Sequence, residues 1–111
     1  PKVVRSSMGS LFRVPILEVR NTNAFLKEHI KQNISTCGLE TRGGQSIESW
    51  RPRFPLIVCI GSESHGLPAD LPVTDSLSIP MKGKVESLNA AVAASVCLYA
   101  ISFFTKASGA R

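Results

Sequence analysis

The sequence predicts an α/β fold built on a parallel β-sheet, and three observations carry that prediction. Residues 55–60, PLIVCI, form a continuous apolar run that stops at a glycine-containing loop. Residues 76–79, SLSI, repeat the pattern and stop at Pro80. From Ser87 to Phe104 the chain is rich in alanine, leucine and valine and carries no glycine or proline. A run without alternation is what a strand buried on both faces looks like. Strand, glycine loop and helix in succession is the order of an α/β sheet.

The elements follow in order. Residues 2–11 read as a short helix or turn. Residues 12–19, FRVPILEV, look strand-like, with Pro15 making the strand irregular. Asn21 or Thr22 can cap a helix through AFLKEHIKQ, whose Phe25, Leu26 and Ile30 lie near helical spacing. Residues 34–40 read as a short strand, and residues 41–55, broken by Gly43, Gly44, Pro52 and Pro55, as a loop or variable stretch. Trp50, the single tryptophan, stands beside Arg51 and Arg53 and offers base stacking. Packing against the domain is the commoner fate of such a residue. The helix from Ser87 is expected to be long and buried. Residues 105–111 read as a frayed polar tail.

Composition narrows the function classes. A chain of 111 residues, 43% hydrophobic, suits one compact domain and excludes global disorder. Thirteen basic against eight acidic residues give a net charge of +5, which favours an anionic partner such as nucleic acid. The charges are scattered, with no polybasic block. Cys37, Cys59 and Cys97 form no CxxC, and His29 and His65 stand far apart, so no metal is expected. Reduced thiols point to an intracellular protein, in cytoplasm or mitochondrion. No segment reaches the roughly 18 apolar residues of a membrane span. Pro1-Lys2-Val3-Val4-Arg5 has no signal-peptide core, and the missing initiator methionine leaves a fragment or a processed form open.

Two stretches offer chemistry. Ile60-Gly61-Ser62-Glu63-Ser64-His65-Gly66-Leu67-Pro68 ends the apolar strand. Ligands of open α/β sheets bind at that end, where glycine lets backbone approach a ligand. Alone, G-x-E-x-x-G is better explained by a tight turn with Glu63 as a solvated cap. The second stretch is a glycine-bearing loop, residues 79–86, feeding a helix whose first turn holds Ser87 and Asn89. Ser87 is a natural N-cap, and Asn89 beside it is a poor helix former. There is no Walker A loop, no dinucleotide fingerprint and no nucleophile elbow.

Together these stretches resemble the SpoU (TrmH-type) family of the SPOUT methyltransferases. The family's second motif, an apolar strand then G-S-E-G-x-G-[LM], is similar to Ile60-Gly61-Ser62-Glu63-Ser64-His65-Gly66-Leu67. Its third, I-P-M-x-G-x-x-x-S-L-N-x-x-x-A-x-x-x-x-L-Y, is matched with the same spacing from Ile79 to Tyr99. A weaker match places Arg5, Ser7, Gly9, Arg13 and Pro15 on R-x-S-x-G-x-x-x-R-x-P.

The resemblance implies a parallel-sheet SPOUT fold closed by a C-terminal deep trefoil knot, with S-adenosylmethionine held in the knot largely by backbone. Gly61, Ile79, Met81 and Leu88 would then line the cofactor pocket, and Glu63, Ser87 and Asn89 would face the reacting end. Arg5 and Arg13 would meet RNA. The implied reaction moves a methyl group to a ribose 2′-hydroxyl of tRNA or rRNA, without metal or membrane, in a homodimer packed through the C-terminal helix.

Three departures qualify it. Ser64 replaces a usual glycine, which a negative φ would tolerate. Ala100 stands where an acidic residue is common. The family's Asn-rich first motif, with its catalytic arginine, has no counterpart, so residues 1–111 look like a domain without its first strand and helix. A catalytically inactive RNA-binding or assembly module keeping the scaffold is the alternative reading.

Overall fold

The computed structural model describes residues 14–40, 44–62, 64–80 and 89–108. Helix α1 spans Thr22–Lys31. Asn21 caps it, its side chain accepting from the Ala24 N–H at 3.0 Å. The helix stops where Asn33 turns left-handed at φ 64°, a conformation asparagine tolerates better than most residues. Leu26 is its buried anchor.

Four strands follow: β1, Ser35–Leu39; β2, Gln45–Ser46; β3, Leu56–Cys59; β4, Asp75–Ser78. They form one parallel sheet in the order β2-β4-β1-β3. Helix α2, Ala90–Ser108, closes the chain. The core gathers Cys37, Trp50, Leu77, Cys97 and Ile101, so α2 docks on the sheet through Cys97 and Ile101.

The expected α/β class, α1, β1, β3 and β4 are all present. Five expectations change. Residues 14–20 form no strand: Val14 is 62% and Leu17 81% exposed, and Pro15 has no N–H to give a ladder. The stretch expected as loop contains β2, which pairs with β4 at Gln45↔Leu77. The apolar β3 is not buried on both faces. It is half-buried and stands at the edge of the described sheet, while β1 takes the centre. The long helix is buried along one side only, with Val92, Val96, Tyr99 and Phe103 exposed on the other. It also continues through Ser108, past the start of the expected frayed tail. The expected turn or helix at residues 2–11 lies outside the described residues.

Candidate functional site

The candidate site lies at the C-terminal ends of the parallel strands, where ligands of open α/β sheets bind. Register sets its layout. Gly38 of β1 stands opposite Cys59 of β3 on one side and Ser76 of β4 on the other. Gly61 therefore leaves the sheet at the level of Ser78, one residue before Ile79, on strands flanking β1. With strands about 4.8 Å apart, the two exits lie about 10 Å from each other.

The loop after β3 is closed by its own backbone. Ser62 and Gly66 form an antiparallel bridge, with the Gly66 N–H donating to Ser62 O at 2.9 Å. The His65 N–H donates to Ser62 Oγ at 3.1 Å. Gly66 sits at φ 67°, so only glycine holds it without strain. A side chain on Gly61 would place its Cβ 2.2 Å from the Gly66 carbonyl carbon. Both glycines of the motif are thus required by geometry.

The loop is also tied to the sheet. A Cβ on Gly38 would meet Leu67 Cδ1 at 2.7 Å, so Leu67 sits directly on the central strand. The Asn23 amide donates to Asp70 Oδ2 at 3.1 Å, joining the loop to α1. Before β4, Thr36 and Thr74 interlock. Each backbone N–H donates to the other's hydroxyl, at 3.0 and 2.9 Å, and the Thr74 hydroxyl donates to Thr36 O at 2.6 Å. Trp50 is 3% exposed, and its indole N–H donates to Asp75 Oδ2 at 3.3 Å. That burial is the packing fate, and it leaves no face for a base.

Of the expected site residues, the described ones are Gly61, Ile79 and Asn89. Gly61 and Ile79 lie on the common rim. Asn89 is the N-cap of α2 in place of Ser87: its Oδ1 accepts from the Ala91 N–H at 2.8 Å and the Val92 N–H at 3.4 Å. Glu63, Met81, Ser87, Leu88, Arg5 and Arg13 lie outside the described residues. Gly38, Thr36 and Thr74 were missed as positioning residues. A glycine inside a strand was the available signal, since it marks close approach.

Two thiols near the rim are held protonated. Burial pushes the Cys59 thiol up. Cys37 is pushed up further, by a hydrogen bond with Cys97 and then by burial. Neither thiol is poised as a nucleophile.

A cleft of about 460 Å³ adjoins the loop, between α1 and β3, with Phe25, Leu26 and Leu71 among its apolar walls. All of residues 57–62 line it. Alternate residues of a strand point to opposite faces, so the cleft runs along the open edge of β3. Ile79 and Asn89 do not line it. On the rim itself, the direction a Gly66 side chain would take meets no atom within 4 Å. Glycine backbone beside open space, with Ile60 and Leu67 adjoining the two glycines, suits a flat nucleoside with an apolar body and polar edges.

A family model described as the SpoU rRNA Methylase family matches residues 1–99. An uncharacterised tRNA/rRNA methyltransferase of Mycolicibacterium gilvum is 37% identical over 100 residues, covering 88% of this chain and 32% of the relative. A TrmH-family protein of Porphyromonas gingivalis superposes with a TM-score of 0.82 at 38% identity, over 90% of this chain and 42% of that one. The SpoU methyltransferase AviRb from Streptomyces viridochromogenes, solved in complex with the cofactor AdoMet, superposes with a TM-score of 0.79 at 33% identity, over the same shares. The chain thus spans about a third of the length of its curated relatives.

Proposed function

The chain belongs to the SpoU rRNA Methylase family, and we propose that it is the S-adenosylmethionine-binding part of an RNA 2′-O-ribose methyltransferase acting on tRNA or rRNA. The observation that carries this reading is the glycine-closed loop at residues 61–66, whose backbone cannot accept a side chain at Gly61 and opens onto empty space at Gly66. The AdoMet-bound Streptomyces relative supports the choice of cofactor.

The cofactor, when bound, supplies an already activated methyl group on its sulfonium. The protein's part is to hold donor and acceptor in line and to assist removal of the hydroxyl proton. Gly61, Ile79, Met81 and Leu88 would hold the cofactor. Glu63, Ser87 and Asn89 would face the ribose. Asn89 has its Oδ1 fixed by capping α2, which gives its amide a set position. Arg5 and Arg13 would meet RNA phosphate, in keeping with the +5 charge.

Two architectural points belong to the same reading. The C-terminal part would thread as the family's trefoil knot. The open edge of β3 would receive a further strand of the family's sheet. A homodimer would pack through α2, whose exposed Val92, Val96, Tyr99 and Phe103 recur at helical spacing as one apolar stripe.

Calorimetry of the full-length protein with S-adenosylmethionine tests the proposal. Binding is expected, and Gly61→Ala should weaken it at least tenfold, because the 2.2 Å clash is with backbone that no rotamer change relieves. Absence of binding by the wild-type protein overturns the reading.

A further inference from the structure

The loop between Gly61 and Gly66 carries a side-chain pair that neither cofactor binding nor loop closure uses. Ser64 Oγ lies 2.7 Å from His65 Nδ1, and both side chains are exposed. Below the ring, the His65 N–H is fixed to Ser62 Oγ and the Gly66 N–H to Ser62 O. Main chain and ring are therefore both oriented. The other ring nitrogen, Nε2, has no partner among the described residues. In water neither the hydroxyl nor the imidazole needs the other, so the contact adds little to stability. Its effect is to fix one ring nitrogen and leave the second for a ligand. The pair stands just past the C-terminal end of β3, on the rim where ligands of parallel sheets bind.

We infer that His65, positioned by Ser64, contacts the RNA substrate, with Nε2 donating to a phosphate oxygen beside the target nucleotide. When the Ser64 hydroxyl donates to Nδ1, Nε2 carries the proton and is the outward donor. RNA presents phosphate and 2′-hydroxyl oxygens along such a rim. Ser64 is then a positioning residue. The inference rests on the RNA methyltransferase reading above.

The test measures RNA affinity and S-adenosylmethionine affinity separately on the full-length protein, with transfer kinetics on the same RNA. His65→Ala should weaken RNA binding about tenfold or more, the worth of one hydrogen bond to a charged oxygen. KM for RNA should rise, with kcat at saturating RNA and cofactor affinity unchanged. Ser64→Gly, which removes the brace and keeps the ring, should give a smaller loss of the same kind, and Ser64→Thr should restore wild-type values. If the wild type binds RNA and His65→Ala binds it equally well, the inference fails while the parent reading stands. Equal loss of cofactor affinity in His65→Ala also overturns it, since that marks a loop-folding role. If the wild type binds cofactor but no RNA, the parent reading and the inference fall together.

Discussion

Strands β1 and β3 lie side by side, and their hydropathy and burial run in opposite directions. β3 reads Leu56-Ile57-Val58-Cys59, is half-buried and forms an edge. β1 reads Ser35-Thr36-Cys37-Gly38-Leu39, and its first four residues are buried at the centre. Small side chains win the central place because other elements must come close there. Gly38 admits Leu67, and Cys37 shares the core with Cys97 of α2. The buried hydroxyl of Thr36 is acceptable because the Thr74 N–H donates to it at 2.9 Å. What distinguishes the central strand is thus the room it leaves and the partners its polar groups find.

The strongest way to break this contrast is to enlarge the centre. Gly38→Val should destabilise the protein by about 2–3 kcal/mol in urea unfolding, because Leu67 and then Val73 must both move. It should also loosen the 61–67 loop and lower cofactor affinity. Gly38→Ala should cost less, since the Leu67 side chain can turn away. Unchanged stability for the valine variant would mean that the centre tolerates bulk and that the contrast is accidental.

Exchanging hydroxyl and methyl between the two strands sharpens it. Thr36→Val should cost about 1–2 kcal/mol, because it removes one of the two acceptors of the Thr74 N–H and the donor to Pro72 O. Val58→Thr, on the half-buried edge, should cost about 0.5–1 kcal/mol, since water reaches the new hydroxyl. Equal costs would remove the distinction between centre and edge.

The smallest effect compares thiols. Cys59 is partly exposed, whereas Cys37 and Cys97 are fully buried. Mass spectrometry after timed alkylation should find Cys59 labelled first, with the other two labelled only on opening of the core. Folding raises Cys37 and Cys59 above the ordinary value of 9.0. Their contribution to stability is therefore complete below about pH 9 and lost as the pH climbs toward the folded values. Replacing Cys37 by alanine should flatten that alkaline decline.

Much of this was legible in the sequence, for local reasons. The Asn21 cap, the helix it starts, the strand ends at Gly61 and Pro80, and the two glycine positions of the 61–66 loop all follow from chemistry within a few residues. Of the candidate site, the loop from Gly61 to Gly66 was legible in the same way, while residues 81–88 of the second motif lie outside the described residues. The strand expected at residues 12–19 failed because a β pattern states only a capacity to pair. Residues 14–20 have no partner strand among the described residues.

By itself, then, the sequence determined the α/β class, the succession of α1, β1, β3, β4 and the long helix, the glycine loop and the family. Tertiary structure decided which strand is central, that Trp50 is core and no base platform, and that Asn89 and not Ser87 caps α2. It also brought Gly38 under Leu67 and left one side of α2 uncovered. The physical reason is one of range. Caps, turns and strand ends depend on neighbours in the chain, while burial and pairing depend on contacts between residues such as Cys37 and Cys97 that no local pattern encodes.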